Sequence, residues 1–383
     1  MQSAGCRRAG TRLTERGRFV PGFWGDYFMR LSVLTLLFAT AGVLGAKSKN
    51  LDIYWIDVEG GASTLFVSPS GESMLVDTGY ETDGRDPKRI MAAAQAAGLT
   101  KIDYVVISHY HADHAGGLPG VAKMIPIGRV YGRSDEELEK ANEKWRNNAT
   151  EAAKGKLIVV KAGDTIPFKG VQTTVVISDA KGITKPLKGA GTANPACKDA
   201  EQQAAAGPEN QRMVGLMLEF GKFRLLNLQD LDWEREMSLV CPIDELGPIT
   251  LWHASRHGGL DGSGAPAFLS AIHPQVILVN NGPRKGMGQV DKTVKSTTPG
   301  GPKPYEKNSY LRMAKLSGVE DIWQGHLSLL DSDAAHNTPQ NQIANLEDAA
   351  DCKGNWIKAS VAPDGKFTIT NGRNNFSKTY TAR

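Results

Sequence analysis

Ser108-His109-Tyr110-His111-Ala112-Asp113-His114 sets three imidazoles and a carboxylate side by side, directly after the apolar run Asp103-Tyr-Val-Val-Ile107. A continuous run of that kind reads as a strand buried on both faces. Residues two apart on an extended stretch point the same way, which pairs His109 with His111. Neutral imidazole and carboxylate together suit zinc, manganese or iron, and packing alone does not account for their density here. The stretch predicts a metal centre at the end of a buried strand.

Upstream, Asp52-Ile-Tyr-Trp-Ile-Asp57, Thr64-Leu-Phe-Val-Ser68 and Ser73-Met-Leu-Val-Asp77 read as three short strands, with turns at Glu59-Gly60-Gly61 and Pro69-Ser70-Gly71. A helix is predicted over 87–97, with Pro87 at its start and Gly98 just past its end. Downstream, helices are predicted over 135–147, from Trp233, over 265–272 and over 305–316. Strands are expected near 157–160, 171–177, 213–220, 223–228, 249–252, 276–280 and 321–323. Strand groups flanked by helices, twice over, favour a layered α/β sandwich with helices outside. The tail forms a hairpin over 356–361 and 366–370 around Pro363-Asp364-Gly365. Residues 179–212 and 284–308 resist assignment, and one of these long segments is expected to act as a flap over the site.

At 383 residues, 40% hydrophobic and 22% charged, the chain has the make-up of a soluble globular protein. Residues 1–46 read as an upstream extension followed by a secretory signal peptide from Met29 to Ala46, whose apolar stretch falls short of the ~20 residues of a membrane span. That leader holds six Arg against Glu15 and Asp26, so the remainder carries 39 basic and 39 acidic residues and no net charge. A neutral mature chain lacks the broad basic field of a binder of long nucleic acids and points to a small or short anionic substrate. Periplasmic or secreted placement would put Cys197, Cys241 and Cys352 in an oxidising compartment, with one disulfide and one thiol left over and no way to choose the pair. The expected organisation is a leader over 1–46, a hydrolase domain over 47–335 and an extension over 336–383 that packs on the same domain.

His109-Tyr110-His111-Ala112-Asp113-His114 resembles the HxHxDH signature of the metallo-β-lactamase superfamily. Met74-Leu-Val-Asp77-Thr-Gly79 resembles its LxDTG motif. Phe223-Arg-Leu-Leu-Asn-Leu-Gln229-Asp230 resembles the strand bearing its bridging aspartate, with Gln229 where Gly is usual. Ser255-Arg256-His257-Gly258-Gly259 is similar to the HHGS motif of the soluble hydrolase domain of ComEC-type competence proteins, with Arg256 in place of the first His. The likeness covers roughly residues 52–330 and implies an αββα sandwich with two divalent metals, zinc foremost, at one edge of its sheets. It implies that His109 and His111 bind one metal, that Asp113, His114 and His257 bind the other, that Asp230 bridges them, and that Asp77 orients neighbouring ligands.

No histidine lies between residues 115 and 252, where other branches of the superfamily take a further ligand. The first metal is then completed by water or by a neutral group such as Asn210, or a single metal is bound. His253 competes with His257 for the last ligand position, and the motif favours His257. His273, His326 and His336 read as structural or surface residues, although His326 could approach the site through the fold. Asn280-Asn281-Gly282-Pro283-Arg284-Lys285-Gly286 offers a Gly-rich turn with two cations, a clamp for a phosphate or carboxylate, and Arg256 carries the same anionic hint.

Two metals about 3.5–4 Å apart lower the pKa of a bound water to roughly 7 and polarise the scissile oxygen. The expected activity is hydrolysis of an anionic ester by a metal-bound hydroxide, a phosphodiester first, with Asp113 and Asp230 as catalytic carboxylates. Opening of a lactone or β-lactam ring is the alternative. An inactive binding protein on the same fold is the reading from another class, and the intact set His109, His111, Asp113, His114, Asp230 and His257 argues against it.

Overall fold

The protein is described by a computed structural model over residues 50–203, 205–259, 262–288, 308–349 and 351–383. The expected leader over 1–46 and most of the segment 284–308 lie outside the described residues. The first strands are β1 (Leu51–Trp55), β2 (Thr64–Val67), β3 (Ser73–Val76), β4 (Ile102–Val106), β5 (Ile127–Gly132) and β6 (Ile158–Val159). The second group is β7 (Gln172–Ser178), β8 (Lys181–Gly182), β9 (Gly215–Phe220), β10 (Phe223–Asn227), β11 (Leu251–His253), β12 (Val276–Val279), β13 (Asp321–His326) and β14 (Ile343–Asn345). The chain ends with β15 (Ile357–Val361), β16 (Lys366–Asn371) and β17 (Ser377–Thr381). One sheet runs β17-β16-β15-β1-β2-β3-β4-β5-β6 and the other β14-β13-β12-β11-β10-β9-β7-β8.

The apolar runs are explained by burial on both faces of each sheet. In β1, Leu51, Ile53 and Trp55 enter the core between the sheets, while Tyr54 faces the outer helices. In β12, Val276 and Leu278 face the same inner core and Ile277 and Val279 the opposite layer. The outer face of the first sheet is covered by α1 (Arg85–Ala96), α2 (Ala112–Ala115), α3 (Leu118–Met124) and α4 (Glu143–Ala152). After the short α5 (Pro208–Gln211), the second sheet is covered by α6 (Trp233–Ser238), α7 (Pro266–Ile272) and α8 (Ser309–Ala314). The result is a four-layer αββα sandwich.

Pairing is parallel for β3 with β4, and for β10, β11 and β12 in turn. The carboxyl ends of those strands therefore meet at one edge, the ordinary place for a ligand in sheets of this kind. Residues 336–383 contribute strands to both sheets: β14 pairs with β13, and β15 pairs with β1 along all five residues from Leu51 to Trp55.

One expectation needs correction, and the choice of flap is narrowed to the segment 284–308, most of which lies outside the described residues. The helix predicted over 135–147 begins only at Glu143, because Glu137 is left-handed (φ 51°) and the acids before it are drawn to Arg212 and Arg146. The segment 179–212 is not a flap. Ile183, Leu187, Cys197 and Ala200 pack on the outer helical layer of the second sheet, where Leu187 N donates to Glu245 O and Asn194 N to Pro242 O. Cys197 of this strap is disulfide-bonded to Cys241, which follows α6, across 44 residues, and Cys352 is a buried free thiol. Closing a loop of that length restricts the unfolded chain by roughly 4 kcal/mol in the entropic account. Replacing both cysteines by Ser is expected to cost about 2–4 kcal/mol, read as a lower urea midpoint; an unchanged midpoint would show that packing alone holds the strap.

Candidate metal centre

Asp77, the first residue after β3, is fully buried and organises the loop that leaves β4. Its Oδ1 accepts from Ser108 N at 2.8 Å, and its Oδ2 accepts from Ser108 Oγ at 2.7 Å and lies 2.8 Å from His114 Nδ1. That contact fixes the His114 ring and aims Nε2 at Asp113 Oδ2 (3.4 Å) and Asp230 Oδ1 (3.3 Å). His257 Nε2 meets the same two oxygens at 3.4 and 3.3 Å. Asp113, His114, Asp230 and His257 thus offer ligand atoms all within 4.8 Å of one another. Neither His114 Nε2, His257 Nε2 nor Asp230 Oδ1 has a hydrogen-bond partner among the described residues. Buried, unsatisfied nitrogen and oxygen donors converging on one point fit a divalent metal.

His109 and His111 lie beside this group. His109 Nδ1 meets Ser108 Oγ at 3.0 Å, and His109 Nε2 meets His111 Nδ1 at 2.9 Å. The rings of His109 and His114 stand 4.0 Å apart. Burial, with His114 and His111 nearby, holds His109 well below the usual imidazole range and so neutral, as a ligand requires. Burial also opposes charge on Asp113 and Asp230, yet His114 and His257 hold both carboxyls well below their usual range. For His114 burial is likewise outweighed, here by Asp230, Asp113 and Asp77, which push it up.

Asp230 and His257 come from tight turns. Gln229 takes φ 44°, a left-handed conformation that explains why Gly is usual at this place, and its N–H donates to Asn227 Oδ1. Arg256 and His257 are also left-handed, and Arg256 N donates to Gln229 O at 2.7 Å, joining the two turns. His253 ends β11 and is buried; burial pushes its pKa down to about 3, so it stays neutral. It is the imidazole of His257, not His253, that meets the two carboxylates.

Of the cations in the turn after β12, only Lys285 comes to the site, with Nζ 2.5 Å from Asp113 Oδ2. Arg284 is drawn away to the surface carboxylate of Asp348 at 2.7 Å, which corrects its expected place in a clamp. Asn210 is buried with Oδ1 making no hydrogen bond among the described residues. Its neighbour Glu209 is a site residue that sequence reasoning misses. Glu209 Oε1 accepts from Tyr110 N at 2.7 Å, between His109 and His111, and its carboxylate is paired with the buried Arg133. A single acid in an Ala-rich stretch carries no pattern that marks it.

A second group, Asp57, Glu59, His326 and Cys352, also places possible ligand atoms together. Arg89 already lies among them, with Nη1 2.7 Å from Asp57 and 3.1 Å from Glu59, and Nη2 3.1 Å from Cys352 Sγ. His326 Nε2 meets Asp57 Oδ1 at 2.7 Å. Arg89 thus balances Asp57 and Glu59 from within the chain, and the group reads as an ion-pair network beside the site, with His326 Nδ1 left without a hydrogen-bond partner among the described residues. His273 is exposed at the end of α7, and His336 pairs with Asp331 at 2.6 Å.

Residues 56–189 match the family described as the metallo-beta-lactamase superfamily. A metal-dependent hydrolase of Cupriavidus necator is 30% identical over 73 residues, 19% of this chain and 23% of that one. The competence protein ComA of Neisseria gonorrhoeae is 32% identical over 87 residues, 22% of this chain and 12% of that one. The chain therefore spans less than a quarter of either relative's length. Among solved structures, the metallo-beta-lactamase fold protein YhfI of Bacillus subtilis is similar at a TM-score of 0.42 and 12% identity, over 71% of this chain and 95% of that one.

Removing the contact that orients His114 should weaken metal binding without removing a ligand. Asp77→Asn is expected to lower metal affinity about 10- to 100-fold, measured by competition with a chelator. Unchanged affinity would mean that packing alone orients the ring.

Proposed function

We propose, from the match of residues 56–189 to the metallo-beta-lactamase superfamily, that the chain is a metal-dependent hydrolase of an anionic ester, with a phosphodiester favoured. The observation that carries this reading is the convergence of Asp113, His114, Asp230 and His257, where His114 Nε2, His257 Nε2 and Asp230 Oδ1 lack a hydrogen-bond partner among the described residues and Asp113 Oδ2 is met by Lys285. These four residues would hold one divalent metal, with zinc favoured, and His109 and His111, with Asp230, would hold a second. When bound, such metals supply Lewis acidity and an activated water.

The chain's own residues do the remaining work. Asp77 holds His114 in one orientation through Nδ1. Glu209 holds the Tyr110 backbone and so the spacing of His109 and His111. Asp113, kept ionised, orients the attacking water and accepts its proton as general base. Asp230 stands between the two imidazole sets. His253 remains a neutral wall of the site.

Export to the periplasm or outside the cell belongs to the same proposal. The Cys197–Cys241 disulfide supports it, since such bonds persist in oxidising compartments. Among the described residues no helix is long and apolar enough to cross a membrane.

The test is metal content by mass spectrometry together with turnover of bis(p-nitrophenyl) phosphate, a lactone and a β-lactam. Phosphodiester cleavage that is abolished by a chelator, restored by added metal, and reduced at least about 100-fold in His114→Ala and His257→Ala is expected. Preferred opening of the lactone or β-lactam would overturn the substrate class. A full complement of metal with no turnover of any of the three would favour a binding protein.

A further inference from the structure

Lys285 is placed with more care than a surface lysine requires. It closes the turn after β12, where Gly282 N donates to Lys285 O at 3.0 Å. On one side the turn presses on Gly60, where an added Cβ would come within 2.9 Å of Gly282 N and 3.2 Å of Lys285 Cβ. On the other it presses on His257: Gly286 is left-handed (φ 86°), a Cβ there would lie 2.1 Å from His257 O, and Met287 N donates to that oxygen at 2.9 Å. Leu329 N donates to Pro283 O, closing a third side. The backbone of Lys285 is thus wedged between the Glu59-Gly60-Gly61 turn and the His257 turn.

From this position Nζ reaches Asp113 Oδ2 at 2.5 Å and Tyr80 Oη at 3.3 Å. An ammonium carries three N–H donors, so these contacts leave one. Exposure is divided in the same way. The side chain of Lys285 is 41% exposed, while those of Asp113, Asp230, His257 and His114 are 13%, 11%, 3% and 0% exposed. Positive charge therefore stands where the centre opens to solvent, with the Tyr80 hydroxyl beside it.

We propose that Lys285 and Tyr80 form a subsite for an anionic oxygen of the substrate, a non-bridging phosphate oxygen, next to Asp113. This rests on the hydrolase reading and narrows it: the ester bears its negative charge at the reacting group. An ammonium and a phenol donate to one oxyanion from two directions, and the wedge fixes where that oxygen sits relative to the metal ligands. Lys285 is a specificity-determining residue, and Arg284, turned to Asp348, has no part in it.

The test uses the full metal-loaded protein and inorganic phosphate as probe, by titration calorimetry, with acetate as comparator and metal content measured on every sample. In Lys285→Gln the metal content is expected to stay and phosphate affinity to fall roughly 10- to 100-fold, the scale of a charge-assisted hydrogen bond. Lys285→Arg should recover part of the loss, Tyr80→Phe should lose less, and Arg284→Gln should match the parent protein. The KM for bis(p-nitrophenyl) phosphate should rise in Lys285→Gln. Four results overturn the subsite: no phosphate binding by the parent protein, unchanged affinity in Lys285→Gln, tighter binding of acetate than of phosphate, or loss of metal together with phosphate in Lys285→Gln, which would make Lys285 a support of the metal ligands. Lysine-dependent phosphate binding without turnover of any ester would leave the subsite standing and remove the hydrolase reading instead.

Discussion

Two ionised carboxylates, Asp113 and Asp230, face each other across the imidazoles of His114 and His257 at 3.3–3.4 Å. Like charges in a poorly solvated site repel strongly, and burial adds a further cost for each. Positive charge must therefore be gathered around them, and the rest of the structure is the means of doing so. Parallel strands end at one edge, short turns present each ligand, and Asp77 and Lys285 approach different members of the cluster. The sandwich supplies rigidity for this: the strands that lead into the site, β3, β4, β10 and β11, are largely buried on both faces.

The neighbouring ion-pair network around Asp57 shows the alternative solution to the same electrostatic problem. There Arg89 supplies the positive charge from within the chain, contacting Asp57, Glu59 and Cys352. Burial pushes the Cys352 thiol up to about 11, reinforced by Glu59 and Asp57, so it stays protonated. At the candidate metal centre no arginine plays that part among the described residues: Lys285 meets Asp113 alone, and the imidazoles of His114 and His257 face both carboxylates. The two clusters are chemically alike in composition and differ in what already balances them.

Much of the centre is legible in the sequence because it is local. Residues 109–114 carry their pattern within one strand end, and Asp77, Asp230 and His257 each come after a recognisable strand. The ties among them are not legible, because they cross the fold: Tyr110 to Glu209 spans 99 residues, Asp113 to Lys285 spans 172, and Asp57 to His326 spans 269. Arg284 and Lys285 are adjacent in sequence, and only tertiary structure separates the residue at the site from the one at the surface. The same holds for the fold. β17 escapes notice because Tyr380 is its one buried residue, which leaves no alternation to read. A helix start at residue 135 fails at Glu137, whose backbone is left-handed and whose side chain pairs with the distant Arg212, neither of which propensity reveals.

On this reading Asp113, His114, Asp230 and His257 bind metal while the Asp57 network does not. Anomalous X-ray diffraction from crystals of the metal-loaded protein, collected on either side of the zinc absorption edge, addresses it directly. An anomalous peak is expected within bonding distance of those four residues and none at Asp57, Glu59, His326 and Cys352. A peak at the second group alone, or none at either in protein shown to contain stoichiometric zinc, would contradict it.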